Sequence, residues 1–159
     1  MLKTTLLHPG ILGALGRSGH GSQVLIADGN YPFTTGSPSA AEKVFLNLSP
    51  GKVSVTDVLA ALVESIPIEA ATVMVPPDGA QQQILAELRA LLPAGLELTS
   101  LKRHEFYDLA RSPNTALVVA TGEQRRFANL LLTIGVVRAA GDRSSTGAAS
   151  AQSASSFRG

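Results

Sequence analysis

Two unbroken apolar runs constrain the fold more than anything else in this chain. They are Val24-Leu25-Ile26-Ala27 and Ala116-Leu117-Val118-Val119-Ala120. A strand wetted on one side alternates apolar and polar residues; a run without alternation reads as a strand covered on both faces. Helical segments recur between the runs. Pro9 suits the first turn of a helix over 9–18 that Gly19 ends. Ser54 or Thr56 caps a helix carrying Val58, Leu59, Leu62, Val63 and Ile66, closed by Pro67. Asp78 caps one through Leu92, with Ile84, Leu85, Leu88, Leu91 and Leu92 on one face. A short helix covers 103–110.

The first run belongs to a strand over 23–28; further strands are expected at Val44–Leu48, Thr72–Val75, Leu96–Leu98 and 129–137, and 31–42 reads as a loop. Strands alternating with helices predict an α/β fold of three layers, a mostly parallel or mixed sheet with helices on both faces. One domain is expected over 1–140. Residues 141–159, GDRSSTGAASAQSASSFRG, have no apolar period and read as a disordered tail.

Composition narrows the chemistry. The chain has no cysteine, which removes thiolate catalysis and cysteine-ligated zinc. Its three histidines lack metal-ligand spacing. No phosphate-cradling glycine loop is present, so neither a metal nor a nucleotide cofactor is expected. A net charge of +1 gives no nucleic-acid footprint. Only 16% of residues are charged, which favours surface hidden between copies of the chain. The opening segment is broken by Pro9 and several glycines and makes a poor signal or membrane segment, so the expected location is cytoplasmic.

Gly19-His20-Gly21 leads into the first strand, and Asp28 stands at that strand's end. Ligands of open α/β sheets bind beyond the carboxyl ends of strands. His20 and Asp28 are therefore candidates for one acid–base cleft. His20 is a proton-transfer group near neutrality, a surface loop histidine, or one that only caps the preceding helix. Asp28 either orients a ligand or bonds its own Asp-Gly-Asn turn. Arg103 either donates to a ligand oxygen or is solvated. Asn129 offers a donor and an acceptor to hydroxyls, or is a loop residue.

Taken together, MLKTTLLHPGILGALGRSGHGSQVLIADGNYP, RHEFYDLA and TGEQRRFANLLLTIGV resemble, in order, the blocks of the RbsD/FucU family of ribose pyranases and fucose mutarotases. The resemblance runs from Met1 to about Val137 and omits the tail. It implies a sugar mutarotase with His20 as general acid/base and with Asp28, Arg103, Phe127 and Asn129 at the sugar. It implies no cofactor, and ring-shaped oligomers, often decamers, with sites at subunit boundaries. Gly-His-Gly and Arg103 resemble the fucose mutarotase branch; the ribose pyranase branch tends to carry histidine at the Arg103 position. The family pattern has tyrosine two residues before the asparagine, where this chain has Phe127, so that hydroxyl is absent. Tyr31 and Tyr107 are the tyrosines available to replace it.

Overall fold

The computed structural model describes residues 1–78 and 82–137. In chain order it runs α1 (Pro9–Gly16), β1 (Gln23–Ala27), β2 (Glu42–Phe45), α2 (Val55–Val63), β3 (Ile68–Val75), α3 (Ile84–Leu91), β4 (Leu98–Lys102), α4 (Arg103–Ala110), β5 (Thr115–Ala120) and β6 (Leu130–Ile134). The expected tail, 141–159, lies outside the described residues.

The strands form one six-stranded sheet in the order β2-β5-β1-β6-β3-β4. The pairs β2·β5, β5·β1 and β3·β4 are parallel. Only β6 runs against its neighbours, pairing antiparallel with both β1 and β3. The sheet is therefore mixed. β1 and β6 lie at its centre, and every residue of β1 is buried.

The layers are uneven. One face carries α1, α2 and α3, whose Ile11, Ala14, Val58, Leu59, Leu62, Leu85 and Leu88 pack on Val24, Ile26, Leu117, Val119, Leu130 and Leu132. The other carries α4 and the loop after β1, with Phe106, Ala110, Tyr31 and Ala41 against Leu25, Ala27, Val118 and Leu131. The alternating residues of each central strand thus serve two separate cores, which is why the strand runs are apolar throughout. No helix among the described residues is long and apolar enough to cross a membrane.

Helix starts follow local chemistry where a cap exists. Ser54 and Asp57 form a reciprocal capping box at α2: Ser54 Oγ accepts from Asp57 N (3.1 Å) and Asp57 Oδ2 accepts from Ser54 N (2.8 Å). His8 caps α1: its Nδ1 accepts from Ile11 N at 3.3 Å. The helix expected from Asp78 starts later. α3 begins at Ile84, behind Gln83, without a side-chain cap. Its position is set by Ile84, Leu85 and Leu88 docking in the core rather than by a polar start signal.

Candidate functional site

At the carboxyl end of β1 the chain turns through Asp28, which is 2% exposed. Its carboxylate is enclosed by donors. Oδ1 accepts from Asn30 N at 2.9 Å. Oδ2 accepts from Ala128 N at 3.2 Å and from Asn129 Nδ2 at 2.9 Å. Asn129 Oδ1 in return accepts from Asp28 N at 2.9 Å. Burial nevertheless pushes the Asp28 carboxyl above its usual value, with the nearby Glu123 charge acting in the same direction and the three hydrogen bonds opposing.

Asn129 comes to Asp28 because β6 is antiparallel. Its amino-terminal end lies beside the carboxyl ends of β1 and β3. The loop that delivers it, 121–129, is braced along its length. Thr121 Oγ1 donates to Ala27 O at 2.7 Å. Gly122 sits where any Cβ would collide with the carbonyl oxygens of Ser49 and Lys52. Glu123, 6% exposed, accepts from Arg125 Nε at 3.0 Å and from Arg125 Nη2 at 2.8 Å. Arg125 Nη1 also reaches Glu87 of α3 at 2.7 Å. These bonds from Arg125 hold the Glu123 carboxyl below its usual value.

Phe127 lies between the brace and Asn129, with φ at +60°, the left-handed region that a side chain rarely occupies. The guanidinium carbons of Arg103 and Arg126 stand 5.3 and 5.7 Å from its ring centroid. Neither arginine forms an ion pair among the described residues. Arg103 is the first residue of α4, and Tyr107 follows one turn later on the same face.

These groups line one open cleft of about 310 Å³: Asp28, Arg103, Phe127 and Asn129 with Tyr31, Tyr107 and Arg126. That is at the small end for ligand clefts, which suits a small polar molecule. Its chemistry is mixed. Asp28 accepts, Arg103 and the free N–H of Asn129 donate, and the rings give apolar walls. Arg126 was missed from sequence. It reads there as one of two adjacent surface arginines, and only its place before Phe127 sets it apart.

His20 is elsewhere. It precedes β1, and the strand's five residues alone hold it about 16 Å from the Asp28 end. Its Nε2 lies 2.9 Å from Glu69 Oε2 at the start of β3, in an exposed pair. Within one chain His20 and Asp28 do not converge, because an extended strand carries two nearby sequence positions to opposite edges of the sheet.

Comparison with known proteins agrees with this architecture. The family model described as the RbsD / FucU transport protein family matches residues 1–137. A D-ribose pyranase of Streptomyces avermitilis is 35% identical over 86% of this chain and 98% of its own length. The human fucose mutarotase is 31% identical, covering 83% of this chain and 90% of that protein. The solved structure of Bacillus subtilis RbsD complexed with D-ribose superposes with a TM-score of 0.74 at 27% identity, over 87% of this chain and all of that one. With the mixed sheet and the cleft at its carboxyl edge, these matches place the chain in the RbsD/FucU family.

Proposed function

We propose that the chain is an aldose mutarotase, interconverting the α and β anomers of L-fucose or a similar free monosaccharide. The observation that carries this reading is the gathering of Asp28, Arg103, Phe127 and Asn129 in one sugar-sized cleft. Mutarotation removes a proton from the anomeric hydroxyl and delivers one to the ring oxygen. The ring opens to the aldehyde, the carbonyl face rotates, and the steps reverse. Asp28 has one acceptor position left after its three bonds, and Asn129 one N–H. Both fix sugar hydroxyls, and Arg103 donates to a third. Orientation is thus supplied by the cleft.

The proton-transfer group in this reading is His20 of a second copy. His20 lies at the far end of β1, so one copy alone has a cleft without it. Each copy then lends His20 to a neighbour and receives one, in a homo-oligomer of the ring type that the resemblance implies. A cytoplasmic location goes with this reading.

Saturation transfer between anomer signals in proton NMR, run on L-fucose, D-ribose, D-galactose and D-glucose, tests the activity. Exchange no faster than buffer for all four sinks it. Sharing is tested by mixing. His20→Ala and Arg103→Ala are each inactive alone, and co-assembly of the two restores roughly a quarter of the sites. If the mixture stays inactive, the site does not span two copies. Exchange between pyranose and furanose signals of ribose would move the assignment to a pyranase.

Phe127 supports a second reading, a sugar-binding module without turnover. Its ring supplies a wall and no proton donor. Calorimetry run beside the exchange measurement separates the two, since binding without exchange belongs to the module.

A further inference from the structure

We infer that Glu69 is a positioning residue for His20, holding the imidazole by Nε2 so that Nδ1 is the atom that moves the proton. The inference rests on the mutarotase reading above and goes one step further, to the nitrogen that reacts and the carboxylate that aims it.

The backbone around this pair is fixed from both sides. The turn carrying His20 is closed on itself: Ser22 N donates to Gly19 O at 3.1 Å, and Gly19 N to Ser22 Oγ at 3.2 Å. Gly21 follows with φ at +82°, and its N–H donates to Ile134 O at 2.9 Å. Ile134 is the last residue of β6. The next residue, Gly135, donates from its N to Pro67 O at 2.9 Å. The end of β6 thus ties the His20 turn to the start of β3.

Glu69 is out of register there. Ile68 pairs with Ile134 and Ala70 with Thr133, so two steps along β3 match one along β6 and Glu69 is the extra residue. Such a bulge re-aims a side chain away from the direction that regular pleating gives it. Gly135 leaves the space, since a Cβ on it would lie 3.1 Å from the Glu69 Cβ and 3.5 Å from the Glu69 N. Glu69 Oε2 then stands 2.9 Å from His20 Nε2. The pair is exposed, so its worth as a salt bridge is small. The tied turn, the bulge and the glycine are what set its geometry.

An ionised carboxylate accepts and cannot donate, so the hydrogen in this contact belongs to Nε2. In the neutral ring Nδ1 then carries the lone pair, and it has no partner among the described residues. Nδ1 takes the proton of the anomeric hydroxyl as the bond from the anomeric carbon to the ring oxygen breaks, and gives it to that oxygen. The anomeric C–O becomes the aldehyde C=O, and the imidazole returns to its neutral form. Glu69 faces the positive charge on the imidazole while it lasts.

The test compares Glu69→Ala and Glu69→Gln with the wild type, using thermal unfolding and light scattering to confirm fold and assembly. Saturation transfer on the four sugars above gives kcat and KM. Glu69 does not line the cleft, so KM should stay within about twofold while kcat of Glu69→Ala falls about ten- to a hundredfold. Glu69→Gln keeps a carbonyl acceptor at nearly the same reach and should recover kcat to within about fivefold of the wild type. Nitrogen-15 NMR of the neutral His20 ring should show the Nε2–H tautomer alone in the wild type and an average of the two tautomers in Glu69→Ala. If the wild type exchanges a sugar and Glu69→Ala matches it, the inference fails while the functional reading stands. A proton on Nδ1 of the neutral wild-type ring also overturns it, as does a loss that Glu69→Gln does not recover or that comes with a smaller assembly. If the wild type exchanges no sugar, both fall together.

Discussion

Asp28 and Asn129 hold each other through a closed pair of hydrogen bonds, Asp28 N to Asn129 Oδ1 and Asn129 Nδ2 to Asp28 Oδ2, each 2.9 Å long. The two residues are 101 positions apart and both are buried. The sequence pattern treats an aspartate before Gly-Asn as a turn former, and Asp28 does accept from Asn30 N. The turn and the long-range pair use different oxygens, so the turn reading of Asp28 holds and leaves Oδ2 to Asn129.

This arrangement makes Asp28→Asn costlier than the sequence suggests. Around an amide at position 28, three N–H donors compete for one carbonyl oxygen. One donor is left unmet or facing the new NH2. We expect a loss of about 1–3 kcal/mol of stability, in addition to weakened sugar binding, read by urea unfolding. A variant as stable as the wild type would mean that the pair is replaceable.

The titration of Asp28 has a definite sign. Burial raises its folded pKa above 3.8, so the folded state holds the proton longer. Its contribution favours folding below pH 3.8 and declines as pH rises through the raised midpoint. Glu123 runs the other way. Arg125 lowers its folded pKa below 4.5, so its contribution is complete above pH 4.5 and is lost as pH falls through the folded midpoint. Asn129→Ala removes a donor that stabilises the Asp28 charge. Carbon-13 NMR of the Asp28 carboxyl should show its midpoint moving further up, and an unchanged or lower midpoint would contradict the hydrogen-bond geometry.

Phe127 offers a backbone test. At a φ of +60°, glycine is relaxed and alanine is not. Both substitutions lose the ring beneath the two arginines, so their difference isolates the backbone. Phe127→Gly should be more stable than Phe127→Ala by about 1 kcal/mol. The reverse order in thermal or urea unfolding would place this residue in an ordinary conformation.

His20 should separate function from stability. Its pair with Glu69 is exposed on both sides, so His20→Ala should change stability by less than about 0.5 kcal/mol. Anomer exchange should fall at least roughly a hundredfold. Normal exchange in the folded variant would remove His20 from the mechanism.

The legible parts of the fold were those set by burial on both faces or by a cap. β1 and β5 show as unbroken apolar runs, and α2 as a helix behind Ser54. β4 was displaced because it is an edge strand with exposed Thr99 and Ser100, which carry no apolar period. β3 begins earlier than its apolar run, at Ile68, since Ala70 is held by its pairing with Thr133 of β6 rather than by hydrophobicity. At the site, strand ends were readable as places where polar residues follow apolar runs. Which ends meet was not, because that depends on β6 reversing direction. The same lack of direction made His20 and Asp28 look like neighbours.

The reversed strand also raises a question of alignment. Leu130-Leu131-Leu132 is apolar on both faces, so sliding β6 by one residue or two still buries leucine against both cores. Oil cannot tell these alignments apart. Polar geometry can: a slip of one residue carries Asn129 about 3 Å along the sheet, beyond the reach of Asp28. The pair that furnishes the cleft therefore acts as an indexing pin for the centre of the sheet. Replacing both residues by leucine should leave the molecule compact yet give a second set of amide signals along β6, the mark of a strand that no longer knows its place.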